Sequence, residues 1–290
     1  MVQTIIDIFL DALIDSLKTL PFLFGVYLLI EYMEHNSGDK LGKALRKLGP
    51  FGPVGGAILG AIPQCGFSVA AANLFSGRLI SMGTLVAVFI STSDEAIPML
   101  ISNPSSIGSL WQLILIKVGI AIIAGIAVDL IAKAFGLVHE EEPFKELCAE
   151  CDCEHHSVLH SAIHHTIEIF IFIFIVNLLL NGFMELAGEE TASKLLMANS
   201  VFQPLIAGII GFIPNCAASV VLTQLYINGV LSFGSVIAGL TTGAGIGLVV
   251  LFKTNKHIKQ NLAVMGVLYL TGVIAGMVIN LIWSKRLFIY

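Results

Sequence analysis

One stretch of this chain occurs twice. Residues 60–69 read GAIPQCGFSV and residues 211–220 read GFIPNCAASV, an offset of 151 residues (211 − 60). The offset runs without a gap through Pro63/Pro214, Cys65/Cys216, Ser68/Ser219, Leu74/Leu225, Ser81/Ser232 and Gly83/Gly234. It reaches outward to Pro53 and Pro204, and to Ile123-Ala124-Gly125 and Ile274-Ala275-Gly276. A sequence repeated in this way folds as two copies of one unit, each interrupted at the same place by a polar Pro/Cys break. Matching interruptions in two apolar halves point to a transporter's binding site.

The setting of the breaks is that of a membrane protein. Hydrophobic residues make up 56% of the chain, charged residues 12%, and the mean hydropathy is +0.91, which excludes an ordinary soluble domain. Residues 80–101 and 111–135 are long enough for full-length helical spans, whereas 51–62 and 66–76 are short. Twelve residues of helix rise about 18 Å, against about 30 Å of hydrocarbon. Each repeat therefore predicts three full spans and a pair of discontinuous short helices broken at I-P-x-C. Gly-rich, Pro-broken backbone survives at that depth only when packed in protein or lining a polar cavity. The expected fold is an all-α polytopic membrane protein of two repeats, each of about five transmembrane segments. The opening MVQTIIDIFLD lacks a basic n-region and carries Asp7 and Asp11, so the first helix reads as retained rather than as a cleaved signal.

An odd number of spans per repeat turns the second copy upside down, and the basic residues agree with that inversion. With the N-terminus outside, the inner loops collect Lys40, Lys43, Arg46, Lys47, Arg78, Lys133, Lys145, Lys253, Lys256 and Lys259. The outer loops collect Lys194, Lys285 and Arg286. The two repeats are then residues 1–136 and 161–290, joined by a polar Cys/His-rich linker at 137–160. Residues 34–48, 136–160 and 253–260 fall on the cytoplasmic side of the cytoplasmic (inner) membrane, and both termini fall outside. The run DKLGKALRKLG sets leucines against lysines as in a short helix lying on anionic lipid.

Several residues could carry chemistry. Pro63 and Pro214 suit the first turn of a helix and so mark the helix breaks. Cys65 and Cys216 then sit near unpaired backbone N–H groups, which favours the thiolate. Two such sulfurs brought opposite each other, with Gln64, Asn215, Asn73 and Gln224 nearby, suit zinc, copper(I) or a thiophilic metalloid better than manganese. Helix starts also attract anions, so an oxyanion fits the same geometry. The bland alternative is that both cysteines are small packing residues.

Asp94 and Glu95 in STSDEAIP are an acid pair deep in an apolar segment, a usual mark of an ion path or proton relay. The second repeat has Gly245 and Ile246 there, so the acidic site is single. Ser91, Ser93, Thr241 and Thr242, together with Pro98, suggest local unwinding that exposes further oxygen ligands. The structural alternative is an ion pair with Lys117 that only fixes packing. Glu168 is a second relay candidate. In the linker, Cys148, Cys151, Cys153, His155, His156 and His160 form a dense soft-metal set, read either as a metal-capturing segment or as a solvated acidic tether.

The stretches running from GAIPQCG to STSDEAIP and from GFIPNCA to GLVVL resemble the ten-transmembrane heavy-metal exporter family. Its members also carry the labels manganese transporter and arsenic efflux protein. The similarity covers nearly the whole chain, and the I-P-Q-C-G and S-T-S-D-E motifs are its distinctive parts. The resemblance implies ten transmembrane segments and export of a heavy metal or metalloid. No G-x-x-x-x-G-K-[ST] motif is present, so the expected activity is ion-gradient-driven secondary transport, an antiport, with the metal ion as cargo and no tightly bound cofactor. A carrier of oxyanions or organic solutes on the same scaffold is the alternative. An intramembrane redox protein or enzyme would have to use Cys65 and Cys216, and no base, cofactor motif or H-E-x-x-H accompanies them. The expected partners are the lipid bilayer and a metal ion or small inorganic substrate, without nucleic acid; a homo-oligomer is left open.

Overall fold

Inside lipid every backbone N–H and C=O must be satisfied by the chain itself, and a chain this apolar does so by forming helices. The computed structural model describes residues 2–35, 51–93, 96–102, 107–134, 158–187, 202–214 and 216–287, and no strand occurs among them. The first half contributes α1 (Val2–His35), α2 (Gly52–Gly60), α3 (Cys65–Ser76), α4 (Met82–Ser91), α5 (Ala96–Ser102) and α6 (Ile107–Ala134). The second contributes α7 (Val158–Ala187), α8 (Gln203–Gly211), α9 (Cys216–Ile227), α10 (Phe233–Thr242), α11 (Ile246–Thr254) and α12 (Ile258–Leu287). The bounds of α2, α3 and α4 recur in α8, α9 and α10 at the offset of 151 residues seen in the sequence. The basic run at 39–49 and linker residues 137–157 lie outside the described residues, and His160 already belongs to α7.

Among the described residues five stretches are long and apolar enough to cross a membrane, and burial sorts them. Met82–Ser102 and Phe233–Thr254 are 81% and 78% buried; Gly108–Ala134, Ala162–Leu179 and Ile258–Ile282 are 28%, 28% and 33% buried. The outer helices turn Trp111, Leu115, Ile123, Leu270 and Leu281 outward. So much apolar surface would aggregate in water and suits lipid. The inner pair is where α4 meets α10, at the centre of the molecule.

In each half the inner helix is clamped by its neighbours. α4 packs against α2 and α6, and α10 against α8 and α12. The residues shared by the two repeats make these contacts. Ser81 caps α4 by accepting from Thr84 N at 3.1 Å, and Ser232 caps α10 by accepting from Ser235 N at 3.2 Å. Asp129 Oδ1 accepts from Gly83 N at 2.8 Å, and Asn280 Oδ1 accepts from Gly234 N at 3.1 Å. Beside each cap two glycines touch backbone to backbone. A Cβ on Gly125 would stand 2.6 Å from Gly83 O, and one on Gly276 would stand 2.5 Å from Gly234 O. Small residues that let helix backbones approach this closely are a main source of association between helices in lipid. Gly125→Ala should therefore lower unfolding stability by about 1–3 kcal/mol through overpacking. Gly119→Ala on the same helix, with nothing within 4 Å of its Cβ, should stay within about 0.5 kcal/mol of wild type. Unfolding of the two purified variants in detergent checks the contrast.

The short helices end alike. Arg78 N donates to Phe75 O at 3.0 Å and Leu79 N to Leu74 O at 2.8 Å; Gly229 N donates to Tyr226 O and Val230 N to Leu225 O, both at 2.9 Å. This paired closure needs a left-handed residue just after the helix. Gly229 takes it freely at φ 73°, whereas Arg78 takes it at φ 60° while donating to Gln260 Oε1 at 2.9 Å.

The halves also exchange helices. α3 packs on α11 of the other half and α9 on α5, while α1 and α7 lie side by side. A Cβ on Gly247 of α11 would stand 2.7 Å from Ser68 Cβ of α3, so glycine is what lets these two helices close.

One expectation needs correction. Residues 80–101 are not one full-length helix, because α4 ends at Ser91 and α5 begins at Ala96. The backbone at Thr92 leaves the helix, with φ −58° and ψ 131°. Pro98 explains where helix can resume: it has no N–H to donate and fits only a first turn. The second half breaks at the matching place, between Thr242 and Ile246, where Gly245 adopts φ 55°.

Candidate functional site

The two breaks meet at a cleft of about 380 Å³, its open mouth included. Thr92 and Ser93 line it from the first break, and Gly243 and Gly245 from the second. Gly211, at the end of α8, and Ser219, one turn into α9, complete its polar side; Leu222 and Leu240 form an apolar wall.

Among the described residues, the charged group at this junction is Lys117. It stands in the middle of α6, is 1% exposed, and among the described residues donates to Thr92 O, Ser93 Oγ at 2.6 Å and Leu240 O at 2.7 Å. An ammonium has three protons to place, and these oxygens accept them. Thr92 O caps the end of α4, and Leu240 O lies in the last turn of α10. Both helices thus aim their negative ends at the ammonium. Without these bonds, burying the charge would cost several kcal/mol. Lys117 thereby ties the break of the first half to the central helix of the second.

Ser93 is at the cleft, with Lys117 on its hydroxyl. Asp94 and Glu95 follow it directly in sequence and lie outside the described residues, as does Asn215. The Cys216 backbone opens α9 one turn before Ser219; its side chain is outside the description. Cys65 opens α3 as a thiol rather than a disulfide, with Gln64 as its N-cap residue and Pro63 exposed in the turn before it. Pro214 lies at the equivalent turn of the second half, and Pro98 lies exposed in the first turn of α5.

Other candidates are turned elsewhere. Gln64 Nε2 donates to Lys18 O at 2.9 Å, and Gln224 Nε2 to Asn228 Oδ1 at 3.3 Å. Asn73 is wholly buried, accepting from Tyr27 OH and donating to Val69 O, both at 3.2 Å. Ser91 donates back to Ala87 O or Val88 O of its own helix. Glu168 is exposed on α7 and pairs with Lys253 at 3.1 Å. Cys148, Cys151, Cys153, His155 and His156 lie outside the described residues. Among the positions that the sequence reading did not assign to a site are Thr92, Ser219, Leu222, Leu240, Gly243 and Gly245.

Thr241 and Thr242 are adjacent and opposite in situation. Thr242 Oγ1 donates to Gly208 O at 2.8 Å, whereas Thr241 Oγ1 is buried and has no hydrogen-bond partner among the described residues. An unpaired buried hydroxyl costs about 1–3 kcal/mol, and a made bond contributes about 1. Thr241→Val should therefore raise unfolding stability by about 1 kcal/mol and Thr242→Val lower it by a similar amount. Denaturation of the two variants in parallel tests the sign.

A cleft between broken inner helices, walled from lipid by longer apolar ones, defines a multi-pass membrane protein. The chain belongs to the family described as "Putative, 10TM heavy-metal exporter", whose model matches residues 3–193 and 176–289. No curated protein and no solved structure matches it.

Proposed function

We propose that the chain is a secondary active transporter that exports a heavy-metal cation or metalloid across the cytoplasmic membrane at the expense of an ion gradient. The observation that carries this reading is Lys117, held between the break of the first half and the central helix of the second by residues that line the cleft. Asp94 and Glu95 follow Ser93 along the chain, and consecutive Cα atoms are about 3.8 Å apart. The acid pair is therefore at most two residues along the chain from Ser93, whose hydroxyl accepts from Lys117. A carboxylate so placed holds either a proton or a metal cation, which makes the two exclude each other. Lys117 supplies the charge that stands in when neither is bound.

The exchanged helices support an alternating cycle. α3 is closed on α11 through Gly247, while the cleft lies on the side of α9 and α5. If the two repeats have inverted topology, opening the first contact and closing the second moves access from one face of the membrane to the other. The family's description as an exporter supports the outward direction of transport.

Lys117 also favours a second reading, an oxyanion as cargo, since a fixed ammonium attracts anions. One experiment tests both. The purified protein is reconstituted into liposomes, an ion gradient is imposed, and movement of zinc, manganese, arsenite and arsenate is followed. The expected result is gradient-dependent flux of at least one metal or metalloid, lost when the gradient is collapsed. The sign of the charge moved separates cation from oxyanion. Absence of gradient-dependent flux for all of them, in correctly inserted protein, overturns the transporter.

A further inference from the structure

A second group of metal-ligating side chains lies away from the cleft, near the start of α7. His164, His165 and Glu168 each offer a ligand atom, and these atoms all lie within 4.8 Å of one another. The spacing explains the convergence. At 100° per residue, Glu168 falls between the two histidines around the helix, one turn further along. His165 is 9% exposed and stacks on Tyr27 of α1, with ring centroids 5.5 Å apart and planes 23° apart. Tyr27 is in turn held by Asn73 of α3 at 3.2 Å. One ligand is thus fixed by the body of the protein, while His164 and Glu168 are exposed and can turn.

The carboxylate already holds a cation. Lys253, in the last turn of α11, reaches Glu168 Oε1 at 3.1 Å. Its ammonium also lies 4.5 Å from the centroid of Phe172, one turn along α7. If it gives up Glu168, it keeps this aromatic face as a partner, which lowers the cost of displacement.

We propose that His164, His165 and Glu168 bind a divalent transition-metal cation in direct competition with the Lys253 ammonium. Two imidazole nitrogens and a carboxylate suit zinc and its neighbours in the first transition row. Metal-to-ligand distances of about 2.0–2.2 Å put tetrahedral ligand atoms about 3.3 Å apart. Side-chain rotation of His164 and Glu168 covers the difference, and the remaining positions on the metal stay open to water. Binding exchanges the α7–α11 ion pair for a metal–carboxylate bond. Because the N-cap residue of α11, Gly245, lines the cleft, occupancy loosens the far end of a helix anchored there.

The test is an equilibrium titration of the full-length protein in lipid nanodiscs with cobalt(II), read by its visible absorption, with no gradient present. Ligands elsewhere in the chain contribute equally to every variant and cancel in the comparison. His164→Ala and Glu168→Gln should each weaken one binding event by about tenfold or more, since even second-sphere losses cost that much. Lys253→Gln should tighten the same event several-fold, and the gain should vanish in Lys253→Gln/Glu168→Gln. Unchanged binding in both His164→Ala and Glu168→Gln overturns the site. A gain that persists in the double variant overturns the competition, because it would then be a general effect of removing positive charge. No transport is measured, so failure here counts against this site and leaves the exporter reading standing.

Discussion

Lys117→Met should abolish gradient-driven flux while leaving the protein inserted and monodisperse. Methionine matches the length of lysine and fills the same channel between α4, α6 and α10, so the packing survives. Stability changes by two opposing effects. Thr92 O and Leu240 O lose a charged donor, while the several kcal/mol spent on desolvating a buried ammonium is recovered. Transport has no such compensation. Hydrogen bonds to a charged group contribute about 1.5–3 kcal/mol each, roughly tenfold or more apiece in the population of a state that needs them. With the first break and α10 released from their shared anchor, flux should fall about a hundredfold. Lys117→Arg should not rescue it, because a planar guanidinium fork does not fit three acceptors gathered around a compact ammonium. The measurement is liposome flux normalised to inserted protein; wild-type flux in Lys117→Met would remove this residue from the cycle.

Asp94→Asn or Glu95→Gln should abolish net pH-driven transport in at least one case, with the fold intact. Each keeps the shape of the side chain and removes a charge. A charged side chain within a membrane-spanning segment is retained only where it has a partner or a task. In the proposed cycle the task is to exchange a proton for the metal, and an amide does not take up that proton. The affected variant should still insert and elute as wild type. If both variants transport at wild-type rates with unchanged pH dependence, the carboxylates are structural, and the ion path has to be sought among Glu168 and the paired Cys65 and Cys216.

Much of the fold was legible because the repeated residues are contact residues. Ser81 and Ser232 cap helices, and Gly83, Gly125, Gly234 and Gly276 are backbone contact points, each constrained by a neighbour that leaves no choice of side chain. The candidate site was less legible. The acceptors around Lys117 are mainly backbone carbonyls, and a carbonyl leaves no trace in the residue type that carries it. Polar side chains near the cysteines misled for the converse reason. Asn73 looks like a ligand in a list of residues, yet in the fold its amide is occupied by Tyr27 and Val69. Its repeat mate Gln224 is exposed, because the two halves do not surround α3 and α9 alike. Reading 80–101 as one span failed because hydropathy measures composition, and Thr92 leaves the helix without making the stretch polar.

The exchange of α3 and α9 between the halves bears on how the protein is made. The face of α3 that carries Ser68 is covered by Gly247, which emerges from the ribosome some 170 residues after α3 ends (247 − 76). At about 5–20 residues per second, that face waits roughly 10–30 s for its neighbour. During that interval the first half is already in the bilayer with a helix break uncovered, a state that lipid alone does not satisfy. The insertion machinery or a membrane chaperone has to shelter it. The two halves synthesised as separate chains should accumulate only when made together.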